Sequence, residues 1–227
     1  MKIHISTERI AFMTGFSLVL MAVIAGMTMG LVFNDLFTTD VNELKIALNG
    51  IESTYYWGIL GWILILVLDL LVSWGVYRLY REKNKSKAVL TGTLRLVYSV
   101  ILGIAIFQLV KVSSLLAHSD DNLQLIFDAL QNFFAIWHFG LIVFGLHLLF
   151  LAKLVCEKKV VLRIISLFLI LAGLGYILSN TADLWIENYE ESRMNVELVF
   201  ILPMIFGELG WGLWLMIKGG PSANSKG

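Results

Sequence analysis

Five ionisable side chains lie inside otherwise apolar stretches of this 227-residue chain: Asp69, Arg95, His138, His147 and Glu208, with Gln108 as a neutral polar companion. A charge placed in hydrocarbon costs ~2.5–3.5 kcal/mol or more, so each such group needs a partner or a purpose. Arginine and carboxylate can pair with each other. Carboxylate and imidazole can take up a proton or a polar ligand. Depth can be counted from the basic ends of the apolar runs at about 1.5 Å per residue. Asp69 then lies about 13 Å deep, Glu208 about 15 Å, Arg95 about 10 Å and His147 about 9 Å. These four share one half of the membrane and form the candidate intramembrane polar pocket. His138 lies about 22 Å deep, in the other half. At 100° per residue the two histidines fall on opposite faces of one helix, so they cannot hold one metal or one haem together. His138 and Gln108 are the weaker candidates.

Two readings of the four residues stay open. In one, Arg95 pairs with Asp69 or Glu208 and holds a helical bundle together. In the other, the group builds a functional pocket. Glu208 stands in the glycine-rich run Gly207-Glu208-Leu209-Gly210-Trp211-Gly212, with Pro203 five residues before it. Proline removes one helical hydrogen bond and frees a carbonyl near Val199. A kinked helix with a carboxylate at depth suits a proton or substrate site, and it also suits a tight helix crossing. The glycine run follows no strand, so it is not a phosphate loop. No metal is expected, because no Glu-x-x-His or His-x-x-x-His pair sets two ligands on one face. No cofactor is expected either. Gly-x-Ser-x-Gly and His-Glu-x-x-His are both missing, and the reading leans away from an enzyme. Cys156, among Lys153, Lys158 and Lys159, is the only cysteine, which rules out an intramolecular disulfide.

The elements that position these groups follow from composition. Hydrophobic residues make up 58% of the chain and the mean hydropathy is +0.81, against roughly 45–50% apolar in soluble domains. The net charge of zero gives no field for nucleic acid. Six stretches reach the roughly 20 apolar residues of a spanning helix: about 10–33, 56–77, 89–112, 132–153, 160–183 and 197–218. The first is too long for the core of a signal peptide and has no clear cleavage site, so it reads as an uncleaved span. Lysine and arginine divide 14 to 3 between the two sides. The side bearing Lys2, Arg9, Arg78, Arg81, Lys83 and the other basic residues is therefore cytoplasmic, with both termini. The opposite loops are acidic, with Asp35, Asp40, Glu43, Glu52, Asp120, Asp121, Asp128, Glu187, Glu190, Glu191 and Glu197. They read as solvated loops. Tyr55, Tyr56, Trp57, Trp185 and Tyr189 read as interfacial anchors on one side, and Tyr77, Tyr80 and Trp214 on the other. Residues 219–227 are small and polar and read as a flexible cytoplasmic tail.

Small residues should mark the helix contacts. Gly26 and Gly30, then Thr91, Gly92, Arg95, Ser99 and Gly103, and then Gly207, Gly210 and Gly212 are each expected to face the bundle interior. A faint echo links Leu68-Asp69-Leu70-Leu71 to Leu146-His147-Leu148-Leu149.

Over roughly residues 7 to 219 the chain resembles a bacterial membrane family, domain of unknown function 4386. The resemblance rests on Thr7-Glu8-Arg9-Ile10-Ala11, Gly58-Ile59-Leu60, Tyr77-Arg78-Leu79 and His138-Phe139-Gly140. It continues through Leu171-Ala172-Gly173-Leu174-Gly175-Tyr176, Gly207-Glu208-Leu209 and Leu213-Trp214-Leu215-Met216-Ile217-Lys218-Gly219. It implies a six-helix membrane protein without assigned chemistry, and it draws attention to His138 and Glu208. The chain departs from the family at Trp62, where members often carry aspartate. Its own acid is Asp69, seven residues on and on the same face.

The sequence thus reads as an all-α integral membrane bundle of six transmembrane helices forming a single domain, multi-pass in a bacterial plasma membrane. The leading function is binding or moving a small molecule or proton through the polar pocket. A structural or regulatory subunit, whose polar residues only hold the bundle together, is the alternative. A membrane-embedded enzyme acting on a lipid-like substrate is a further class. The partners are the bilayer and a small ligand or proton, with no nucleic acid, and an oligomer is compatible with the sequence.

Overall fold

Long apolar runs in lipid must satisfy every backbone N–H and C=O within themselves, which leaves the helix as the available form. The computed structural model is accordingly all-helical. It describes residues 5–36, 40–48, 51–116, 122–185 and 189–221, without side-chain placement for 35, 52–53, 183–199 and 201. Among the described residues there are seven α-helices: α1 Thr7–Thr28, α2 Val41–Ala47, α3 Glu52–Tyr80, α4 Lys85–Leu116, α5 Leu123–Val155, α6 Val160–Trp185 and α7 Tyr189–Lys218. Five of them, α1, α3, α4, α5 and α6, contain stretches long and apolar enough to cross a membrane. Each long helix apart from α1 runs past the apolar window read from sequence, because the backbone ladder continues where the hydrocarbon stops.

Side-chain caps start α1, α2 and α4. The Ser6 hydroxyl accepts from Arg9 N at 3.4 Å to open α1, and Asn84 Oδ1 accepts from Lys87 N at 3.0 Å to open α4. The short helix α2 was not expected. Asp40 caps it by accepting from Asn42 N at 2.6 Å, and its Leu44 is buried. Between α1 and α2 the chain passes through a π-helical turn, Met29–Phe33, and a 3-10 turn, Asn34–Leu36.

The six long helices close into a ring in chain order. Each packs on the next, from α1 to α3, α4, α5, α6 and α7, and α7 returns to pack on α1. This order sets α4 opposite α7, with α3 and α5 flanking α4. Glycine lets the backbones approach at the seams. At α5/α6 a methyl group on Gly145 would stand 2.7 Å from the carbonyl oxygen of Gly173, and one on Gly173 would stand 2.8 Å from that of Gly145. Gly15 and Gly212 abut in the same way at α1/α7.

Most of the expected packing stripes do face inward. Thr91, Gly92, Arg95 and Ser99 are buried and Gly103 is half-buried, and Gly207 and Gly212 are buried. Gly26 and Gly30 are a correction, because both are exposed with open space beside them. The buried face of α1 passes through Thr14, Leu18, Met21 and Thr28, and Gly26 lies about 140° around the helix from Met21. Three supposed interfacial anchors also turn inward: Tyr55, Tyr80 and Trp214 are buried. The Tyr55 hydroxyl donates to Leu109 O at 3.0 Å. Tyr56 and Trp57 do face outward. Trp185, Tyr189 and most of the acidic loop residues lie outside the described side chains, as does the tail from Ser222 onward.

Candidate functional site

Arg95 is fully buried on the inward stripe of α4. A guanidinium presents donors in a rigid planar fork, so it can meet several acceptors in different directions. Its Nε donates to Asp69 Oδ1 on α3 at 2.8 Å, and Nη2 lies 2.7 Å from the same oxygen. Nη1 reaches across the ring to Glu208 Oε1 on α7 at 2.7 Å. Nη1 also lies 3.3 Å from His147 Nε2 on α5. The Phe144 ring, one turn from His147, covers the guanidinium at 5.2 Å. All four leading candidates therefore meet at one side chain. Asp69 and His147 sit on the helices flanking α4, and both touch Arg95.

The surroundings fix the imidazole. His147 Nδ1 lies 2.9 Å from the carbonyl oxygen of Thr91, which can only accept. Nδ1 must therefore donate, and Nε2 offers its lone pair to Arg95. A neutral imidazole satisfies both contacts, whereas an imidazolium would set two cations against each other. Neither nitrogen is left to bind a substrate or metal. Among the described residues no three His, Cys, Asp or Glu side chains form a metal-binding arrangement.

The two carboxylates differ. Asp69 is closed in, with a side chain 3% exposed. Its Oδ1 takes Arg95 and its Oδ2 accepts from the Ser99 hydroxyl. Glu208 is 21% exposed, and among the described residues only its Oε1 is engaged. The site is thus a buried ion-pair network with one open carboxylate, and Arg95 itself occupies the point of convergence.

Both ends of the bundle interior are capped. Toward the end shared by Glu8 and Gly219, Trp211 Nε1 donates to the Tyr80 hydroxyl at 3.2 Å. Nearby Lys83 Nζ reaches Leu154 O at 2.8 Å and Glu157 Oε1 at 3.0 Å. Toward the other end, Trp62 packs edge-on against Phe133 and Trp137, with ring centroids 5.2 and 5.1 Å away. Phe33, delivered by the π-helical turn, stacks on Phe133 at 6.5 Å. The indole N–H groups of Trp62 and Trp137 are buried without a hydrogen-bond partner among the described residues. Trp137 lies beside the Tyr98 hydroxyl without reaching hydrogen-bond geometry.

The weaker candidates do not join the site. His138 sits against Phe134 and Trp137, each at 5.8 Å, in the aromatic end. Gln108 is half-buried about 20 Å further along α4. Two participants escaped the sequence reading: Ser99, treated there only as a small packing residue, and Phe144. Both were findable, since Ser99 follows Arg95 by one turn and Phe144 precedes His147 by one turn on the same face.

Residues 13–219 match the family model described as Domain of unknown function (DUF4386). An uncharacterized protein of Archaeoglobus fulgidus is 29% identical over 174 residues, covering 77% of this chain and 90% of the relative. No solved structure matches the chain.

Proposed function

The chain belongs to the family Domain of unknown function (DUF4386), and from its buried network we propose that it is a six-span membrane protein that binds and moves a proton at Glu208. One observation carries this reading. Two carboxylates share a single guanidinium while the adjoining imidazole is neutral, so the buried group has one negative charge too many. An uncompensated charge in a low-dielectric interior is costly, and a proton is the smallest species that removes it. Glu208 is the more exposed carboxylate, and among the described residues its second oxygen is unengaged. The caps above and below the network fit an occluded state, in which the site meets neither side of the membrane.

In this reading α7 is the sixth span. Its 30 residues return the chain to the end where α1 begins. The excess of lysine and arginine at that end supports a cytoplasmic placement for it, and the assignment to a bacterial plasma membrane rests on the family resemblance.

The test is infrared difference spectroscopy of the reconstituted protein through a pH step, paired with proton uptake into proteoliposomes under an imposed potential. The wild type should show a carboxylic-acid carbonyl band and uptake above that of empty vesicles, and Glu208→Gln should lose both. No band and no uptake in a folded wild type would sink the proposal. The saturated hydrogen bonding of Asp69 favours a second reading, a purely structural network. On that reading Glu208→Gln changes neither signal and only stability responds to Arg95.

A further inference from the structure

Where the start of α1 meets the end of α7, the surface opens into a cavity of about 550 Å³ that has no part in the Arg95 network. Its polar lining is Arg9, Lys218 and Glu8, and its apolar lining is Phe12, Met13, Met216 and Ile217. None of the three charged groups forms an ion pair with any described residue, so two cations and one carboxylate face the cavity uncommitted. Gly219 forms part of the wall in a left-handed conformation, φ 72°, where a side chain would be strained and would press on Glu8. The apolar floor continues along α1. Phe12 and Phe16 are exposed and stacked with centroids 6.2 Å apart, and Phe12 is 51% exposed. Val23 and Met27, also exposed, extend the row on the same face of the helix.

A cationic mouth at a helix end, opening onto a lipid-facing apolar track, has the chemistry of an anionic amphiphile. We infer that this cavity binds an anionic glycerophospholipid with a hydroxyl-bearing headgroup, phosphatidylglycerol being the simplest. The phosphate sits between Arg9 and Lys218, which supply charge-assisted donors. The headgroup hydroxyls donate to the Glu8 carboxylate, and one acyl chain lies along Phe12, Phe16 and Val23. The cavity carries one more positive than negative charge, which matches the single negative charge of the lipid. A bound lipid would bridge α1 and α7 and so strengthen the seam that closes the helical ring.

Binding to the folded state alone raises thermal stability with ligand concentration. The full chain in neutral detergent is therefore heated with phosphatidylglycerol, phosphatidylethanolamine, phosphatidylcholine or glycerol 3-phosphate. Phosphatidylglycerol should raise Tm and the other three should not. In Arg9→Gln/Lys218→Gln the lipid concentration giving half the shift should rise about tenfold or more. Arg9→Lys/Lys218→Arg should stay close to wild type, as should Lys158→Gln/Lys159→Gln, which removes two charges elsewhere. An unchanged Tm in phosphatidylcholine shows that a variant is folded. Equal stabilisation by phosphatidylcholine, full replacement by glycerol 3-phosphate, or equal loss in Lys158→Gln/Lys159→Gln overturns the assignment. A stronger response to phosphatidylethanolamine would replace it with a zwitterionic lipid, whose ammonium would meet Glu8.

Discussion

Around Arg95 four helices are joined by charge and hydrogen bonds, whereas about 10 Å along α3, around Trp62, three rings pack with two indole N–H groups left unpaired. The two regions solve the same problem differently. Lipid provides no hydrophobic drive between helices, so contacts must come from packing or from polar groups denied water. The Arg95 network is directional: one lost atom strands a charge. The Trp62 cluster depends on shape, and a ring can replace a ring. The comparison also separates the two carboxylates. Asp69 belongs wholly to the closed network, while Glu208 stands at its edge.

The largest effect should follow loss of the shared cation. Arg95→Ala is expected to lower unfolding free energy by about 3–5 kcal/mol in detergent denaturation, because two carboxylates lose their partner. Arg95→Lys should recover only part of this, since one ammonium lacks the fork that reaches Asp69 and Glu208 together. Should Arg95→Ala cost no more than a ring substitution at Trp62, the contrast between the regions is lost. Next comes the asymmetry between the acids. Asp69→Asn should cost about 1.5–3 kcal/mol, the scale of buried hydrogen bonds to charged groups. Glu208→Gln should cost under about 1 kcal/mol, because the amide oxygen can still accept from Arg95 and the variant removes the surplus negative charge. Equal costs would make Glu208 as structural as Asp69.

How much of this could be read beforehand depends on the kind of information each feature needs. Asp69, Arg95, His147 and Glu208 were identifiable because depth in a spanning helix is a matter of counting residues. That one arginine would serve both acids was not, since it depends on the ring order placing α4 opposite α7. Helix α2 carries a single buried apolar residue, Leu44, and so has no periodicity to detect. Gly26 and Gly30 misled because small-xxx-small spacing marks a close approach only on the face that is buried. Gly15 and Gly212, on different helices, made the approach instead. The inward turn of Tyr80 was hidden for a similar reason: an aromatic at a helix end looks like an anchor until its partner, Trp211, is known.

The aromatic region gives the smaller effects. A methyl group on Gly58 would stand 2.6 Å from the Phe33 ring and 2.7 Å from Val32. Gly58→Ala should therefore push Phe33 off Phe133 and cost about 1–3 kcal/mol, the usual penalty of overpacking. Trp62→Phe is expected to be the mildest, within about 1 kcal/mol of wild type, since it keeps a ring and removes an unsatisfied N–H. The comparison is most exposed at this point. A cost near 3 kcal/mol, matched by Trp137→Phe, would mean that the indole N–H groups do meet an acceptor, a loss on the scale of a buried hydrogen bond rather than of a ring exchange. The individual costs are the informative part, because two rings in contact couple in a double variant on packing alone. The Trp62 region would then be a second polar site, and shape alone would no longer account for it.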